Sequence, residues 1–201
     1  MLGEDADAAS GTRRQRMLRS IVEDAGRGDE AAFAVLVREV GDGCIFIAHR
    51  ILRDASLAQD AVQVALVQVW RELPALRDPD RFDAWLHRIL VNACYAEARR
   101  RRHFAADVVL IETDGPTADD EQLLTVQDRD QLDRGFLRLP PDQRAVLVFR
   151  YALGMTVPEV ADHLGIPLGT AKSRLSYATA ALRAALDADA RTVVLDREEL
   201  A

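Results

Sequence analysis

Apolar residues recur along this chain at three- and four-residue intervals, and strand-like alternation is almost absent. Over 29–40, Phe33, Leu36, Val37 and Val40 stand at i, i+3, i+4 and i+7, one face of a helix. Gly41 and Gly43 predict a break, with a second helix over 44–53. Asp54 and Ser56 offer N-caps to a third over 57–72, ended near Pro74. A loop with Arg77, Asp78 and Pro79 leads to a long helix over 81–102. Periodicity is lost over 104–120, where ETDGPTADDE reads as an exposed acidic linker, although 107–111 (DVVLI) is a short strand-like run. A helix is expected to resume near Asp119 and end before Pro140 and Pro141, and another over 141–153 is stopped by Gly154. Then come a short helix (157–164), a Gly165-Ile166-Pro167 turn and a helix over 168–187, with the final DREELA expected to fray. The pattern predicts an all-α protein: two small helical domains joined by an acidic linker, the second a helix-turn-helix.

Composition narrows the class. A length of 201 residues allows one or two domains, and 49% hydrophobic with 29% charged residues is an ordinary globular balance. No run approaches the roughly 18 apolar residues of a membrane span, and the N-terminus has no apolar core of a signal peptide. Cys44 and Cys94 cannot build a disulfide framework, so a reducing cytoplasm without membrane insertion is expected. The net charge of −7 argues against nucleic acid only as an average. Residues 81–103 carry +4 and 136–186 carry +3, separated by −7 over 104–135. The chain divides accordingly into a tail (1–20), a first domain (21–103), a linker (104–135), a second domain (136–187) and a C-terminal tail (188–201). Local field decides where a polyanion approaches, so two nucleic-acid contacts are permitted. The acidic linker is expected to compete with DNA for either basic block.

The sharpest motif is MTVPEVADHLGIPLGTAKSRLSYATAAL, residues 155–182. Pro158 suits a first helical turn and Gly165 a left-handed stop, and a second helix starts at once. Ala171, Leu175, Ala178 and Leu182 fall on one narrow inward face. Thr170, Lys172, Ser173, Arg174, Ser176 and Tyr177 make the outer side polar and basic, as a helix entering the major groove requires. A plain helical hairpin with a solvated face is the alternative.

A second motif, RFDAWLHRILVNACYAEARRRRH, spans 81–103. Phe82, Trp85, Leu86, Ile89, Ala93 and Ala96 form its inward side. Arg81, Arg88, Asn92, Tyr95, Arg99 and Arg102 line an arc of about 80° at the helical pitch of roughly 100° per residue. The arginines, with Arg100 and Arg101 beside them, can neutralise phosphates, while Asn92 and Tyr95 offer an amide and a stacking ring suited to unpaired bases. A basic helix end answering the helix dipole is the alternative, though four consecutive arginines exceed that need. The third motif is SLAQDAVQVALVQVW, residues 56–70. Val62, Leu66, Val69 and Trp70 make a core face. Val64 and Val67 lie on the far side, rimmed by Asp60, Gln63, Gln68 and Arg71, as a protein-docking surface would be; a helix buried on both sides explains them equally. Other chemistry is sparse. Cys44 with His49, Cys94 with His87, and Glu159 with His163 lack metal-site spacing, and no nucleotide-binding or nucleophile motif is present, so no metal, cofactor or catalysis is expected.

Together these segments resemble the extracytoplasmic-function sigma factors, small two-domain initiation subunits of bacterial RNA polymerase. FDAWLHRILVNACYAEARRRR resembles the family's region 2 helix, AQDAVQVALVQVW its core-binding helix, and LPPDQRAVLVFRYALGMTVPEVADHLGIPLGTAKSRL its region 4. The resemblance implies that the first domain binds core RNA polymerase and melts and reads the minus-ten element, with Asn92 meeting a flipped base. It implies that the second reads the minus-thirty-five element of promoter DNA as duplex, and that an anti-sigma factor is a partner. Gln59 and Val64 stand where the family usually has acids, and Tyr177 and Thr179 where it often has basic residues. The competing reading is a free-standing helix-turn-helix regulator whose first domain serves dimerisation.

Overall fold

The computed structural model describes residues 16–107 and 126–199, and among them there is no strand. Residues 1–15 and the acidic stretch 108–125, with most of the strand-like run, lie outside the described residues. The first domain holds α1 (16–26), α2 (Glu30–Leu52), α3 (Ala55–Glu72) and α4 (Phe82–Asp107). The second holds α5 (Val126–Leu137), α6 (Pro141–Leu147) running into a π turn (Val148–Ala152), α7 (Val157–Leu164) and α8 (Leu168–Glu199).

Three of the helices, α2, α3 and α7, start where a side chain replaces a missing backbone partner. Asp29 accepts from the Ala31 and Ala32 amides at 2.8 and 3.0 Å, and Asp54 from Leu57 N at 2.9 Å. Glu159 accepts from both the amide and hydroxyl of Thr156, closing the first turn of α7. Leu36, Cys44, Ile47 and Ile51 of α2 pack against Phe82, Leu86, Leu90 and Cys94 of α4. Ala58, Ala61 and Ala65 are buried at helical spacing and let α3 approach its neighbours closely. Burial pushes both thiols up to about 12, so Cys44 and Cys94 remain protonated and serve as small apolar groups.

Several expectations are corrected. Gly41 and Gly43 do not end a helix, because the buried stripe Leu36, Cys44, Ile47, Ile51 runs through them at helical spacing. That burial outweighs a glycine penalty of about 1 kcal/mol each. Residues 16–20 belong to α1 rather than to a tail, and 126–135 belong to α5 rather than to a linker. The segment 141–153 is not uniform: Leu153 N bonds back to Val148 O across a π turn, which leaves Val148 and Phe149 both buried. α8 continues past 187 to Glu199, since no glycine or proline follows Gly169 in it. Trp70 sits on a rim, its ring tilted 58° against Phe33 at 4.7 Å, and Ala96 is exposed.

A Cβ on Gly43 would meet nothing within 4 Å, and its φ is not positive. Gly43→Ala is therefore expected to stabilise the chain by roughly 0.5–1 kcal/mol in urea unfolding. Gly165, at φ 64°, has the Arg88 side chain 2.7 Å from where a Cβ would stand, so Gly165→Ala is expected to destabilise. A stability loss from Gly43→Ala would mean that α2 is broken there after all.

Candidate nucleic-acid interface

α4 separates its residues sharply by face. Leu86, Ile89, Leu90, Ala93 and Cys94 are buried in the first domain, while Arg81, Arg88, Asn92, Arg99 and Arg102 are exposed. The arginine run is not uniform. Arg100 pairs with the buried Glu97 at 2.7 Å and approaches Asp60 at 3.8 Å, and Arg101 pairs with Asp54 at 2.7 Å. Both are thereby turned toward acids of their own domain. Arg99 and Arg102 stay on the outer side, Arg102 bonded to the Ala98 carbonyl at 3.4 Å. Tyr95 is half-buried, and its phenol is pushed well up, first by burial and then by Asp142.

The start of α8 presents the other polar face. Ala171 and Ala178 are fully buried, and Leu175 and Leu182 pack partly against the core. Lys172, Ser173, Ser176 and Tyr177 are exposed, Tyr177 at 71%, and Thr170 is half-buried. Ser173 donates to the Thr170 carbonyl, and Arg174 lies 3.9 Å from Asp142. Gly165 turns the chain between α7 and α8 with φ 64°, which lets the two helices meet after three residues.

The two domains touch along α4 and α7, and α2 and α6. Arg81 pairs with Asp162 of α7. His87 Nδ1 lies 2.7 Å from His163 Nδ1, and the His87 ring meets Phe149 edge-on at 5.2 Å. Arg53 pairs with Asp133 at 2.7 Å, both largely buried. Arg144 donates to the Ile51, Leu139 and Leu137 carbonyls at 2.7, 2.9 and 3.4 Å, closing the C-terminal ends of α2 and α5 with one guanidinium. Burial, then Arg53 and Arg102, lowers the Arg144 pKa to about 10, which leaves it charged at neutral pH. These contacts bring Arg88 against the Gly165 turn and Tyr95 near Asp142 and Arg174, so the second domain lies over part of the α4 face, while Asn92, Arg99, Arg102 and the outer face of α8 stay exposed.

None of this pairing is visible in the spacing of single helices. His87 reads as a surface histidine and Arg144 as an ordinary helix cation, and only the tertiary arrangement joins them to partners 76 and 93 residues away.

On α3, Val64 and Val67 are 50% and 45% exposed, so the helix is not buried on both sides. With Gln63, Gln68, Arg71 and Glu72 they line a shallow cavity of about 490 Å³; Asp60, one turn before Val64 on α3 and half-exposed, is not part of that lining. Gln68 donates to Glu72 at 3.0 Å. A larger apolar groove of about 730 Å³ lies alongside, where Phe33, Val37 and Ile45 of α2 face Val62, Leu66, Val67 and Trp70. The α2 side of this groove escaped the sequence reading, because Phe33 and Val37 fit the core stripe as well as a groove wall. Among the described residues no group of three potential metal ligands is found, and no helix is long and apolar enough to cross a membrane.

Residues 36–104 match the family Sigma-70 region 2, and residues 129–182 match Sigma-70, region 4. The chain is 31% identical over 183 residues to the RNA polymerase sigma-H factor of Pseudomonas aeruginosa, covering 86% of this chain and 95% of that one. It is 32% identical over 172 residues to the ECF RNA polymerase sigma factor SigM of Mycobacterium tuberculosis, covering 86% of each. Among solved structures it resembles CnrH in complex with the cytosolic domain of CnrY, with TM-score 0.60, 28% identity, and 86% of this chain and 98% of that one covered. It also resembles the sigma factor RpoE bound to the anti-sigma factor NepR from Bartonella quintana, with TM-score 0.63, 26% identity, and 78% and 98% covered. An all-helical chain with a basic α4, a helix-turn-helix at α7 and α8, and both matched regions in this order belongs to the sigma-70 family as an extracytoplasmic-function sigma factor, a factor of promoter-specific transcription initiation by RNA polymerase.

Proposed function

We propose that α4 reads and opens the minus-ten element while the start of α8 reads the minus-thirty-five element as duplex. The observation that carries this is the presence on one chain of two separate polar and basic helix faces, each backed by a buried apolar side. On α4 the contacts fall to Arg81, Arg88, Asn92, Tyr95, Arg99 and Arg102. Asn92 offers one acceptor and two donor hydrogens to the edge of an extruded base, and Arg88 and Arg99 hold phosphates on either side. Arg100 and Arg101, held by Asp60, Glu97 and Asp54, add field rather than direct contacts. On α8, Lys172 and Arg174 meet phosphates, and Thr170, Ser173, Ser176 and Tyr177 face base edges. The helices α1–α4 and α5–α8 make the two working domains, and the protein acts in the cytoplasm without catalysing a reaction.

Core polymerase docks on the outer face of α3 through Val64 and Val67, rimmed by Asp60, Gln63, Gln68 and Arg71. An apolar centre with a polar rim is the anatomy of such an interface. An anti-sigma factor is the further partner, as one of the similar solved chains is bound to an anti-sigma factor and another to a cytosolic domain of CnrY. The covering of α4 by α7 and α8 also suits a chain that reads DNA only after its domains part. This masking stands on described residues, whereas the acidic stretch expected to compete with DNA lies outside them.

Asn92→Ala holoenzyme is expected to bind promoter DNA nearly normally and to open it slowly. Run-off yield should fall on a closed template and recover much of the loss on one with a pre-melted minus-ten bubble. Normal yield on the closed template, or a lowered melting temperature of the variant, would remove Asn92 from base reading. Lys172→Ala and Arg174→Ala should each reduce the logarithmic salt dependence of duplex binding by about one, as the loss of a phosphate contact does. An unchanged slope in both places these side chains away from the DNA backbone.

A further inference from the structure

The contact between α4 and α7 contains two histidines that meet ring to ring. His87 Nδ1 and His163 Nδ1 are 2.7 Å apart, and the ring centroids are 4.9 Å apart. A nitrogen pair at that distance has room for one hydrogen on the line between them. One ring donates its N–H and the other accepts on its lone pair, and two protons there would stand head to head. His87 has no spare room, because Phe149 of the π turn meets it edge-on at 5.2 Å. We propose that this pair is a pH-sensitive latch, which holds the two domains together while both imidazoles are uncharged and releases them when the pair is charged by acidification. The proposal rests on the reading of α4 as a DNA-contacting face, since release is what would uncover its Arg81, Arg88 and Tyr95 part.

The surroundings set the order in which the rings take up protons. His163 is faced from its own helix by Asp162 and Glu159, and from the α4 side by Asp83, all of which favour its charge; Arg81 opposes it, and burial opposes it more. The π turn brings the uncharged Phe149 ring, and its neighbour Arg150 is turned away to the Met155 carbonyl at 2.8 Å. His87 has none of those acids: burial, and then His163, lower its pKa to about 4. His163 therefore takes the first proton and can still donate it to His87. The second proton has no place in the closed form.

The direction in pH follows from linkage. A histidine near its ordinary 6.5 in the open chain and near 4 in the closed one destabilises the closed form as pH falls below 6.5. Above that window the closed form keeps its full stability. His87 alone should lower the closing constant by about tenfold at pH 5.5 and about thirtyfold at pH 5. The lowered His163 adds to this in the same direction.

The test is energy transfer between dyes on the full chain, at Arg77→Cys and Ala180→Cys, both exposed positions. Cys44 and Cys94 are buried and stay unlabelled. Without any DNA present, transfer should fall between pH 7.5 and pH 5 while helicity by circular dichroism stays constant. Stopping at pH 5 keeps above the ordinary carboxylate range. His49, also lowered by burial and placed near Arg53 and Asp133, is the control: His49→Gln should keep the response. His163→Gln, which leaves His87 in place, should keep part of it, and His87→Gln with His163→Gln should flatten it. Transfer that does not change with pH in the unsubstituted chain overturns the latch, as does a change that tracks loss of helicity or disappears in His49→Gln. A pH-dependent opening with no gain in DNA binding would leave the latch standing and overturn the assignment of the DNA-reading faces.

Discussion

The packing of α4 from two sides governs what every other surface can do. Its inner face, Phe82, Leu86, Ile89 and Leu90, completes the core of the first domain, so the helix cannot rotate or shift without unfolding that domain. Its remaining side carries Arg81, His87, Arg88 and Tyr95, and these meet α7 and the start of α8. Access to the Arg81, Arg88 and Tyr95 part of the stripe proposed to read the minus-ten element therefore depends on where the second domain sits.

That contact has an apolar part continuous with the core and a polar part beside it. Inside the first domain the contacts are alanine, leucine, isoleucine and valine, whose burial is worth about 25 cal/mol per Å². That apolar cluster continues across the domain boundary into Val146, Val148, Phe149 and Val160, and polar contacts join the domains beside it: Arg81 with Asp162, Arg53 with Asp133, His87 with His163, and Arg144 on the Ile51 carbonyl. Exposed ion pairs contribute only about 0–1 kcal/mol each. The polar contacts can be exchanged for contacts with a partner or with DNA, whereas the shared apolar burial favours the closed arrangement. Arg144 is the firmest element in it, since the Ile51 carbonyl would lose its interdomain donor if the domains parted.

The sequence made the all-helical architecture legible, because α4 and α8 repeat their apolar residues at helical spacing over many turns. The polar faces of both helices follow from the same count, and so does the outward pair Val64 and Val67. It misled at Gly41 and Gly43, where local propensity yielded to a stripe of buried residues on either side. It could not show that Arg100 and Arg101 answer acids of their own domain, since Asp54 and Asp60 lie some forty residues earlier. The interdomain contacts escaped for the same reason: each joins residues whose separation carries no periodic signal. Phe33, Val37 and Ile45 became a groove wall only when α3 was laid beside α2.

The central claim is that the contact closing the chain also lies over part of the α4 face proposed to read DNA. Arg81→Cys with Asp162→Cys replaces an exposed interdomain ion pair by two thiols that a short reducible crosslinker can bridge. Promoter-specific run-off by core polymerase with the bridged chain, before and after reduction, measures the claim directly. The account predicts little transcript from the bridged chain and recovery on reduction. Equal transcription in both states would contradict it.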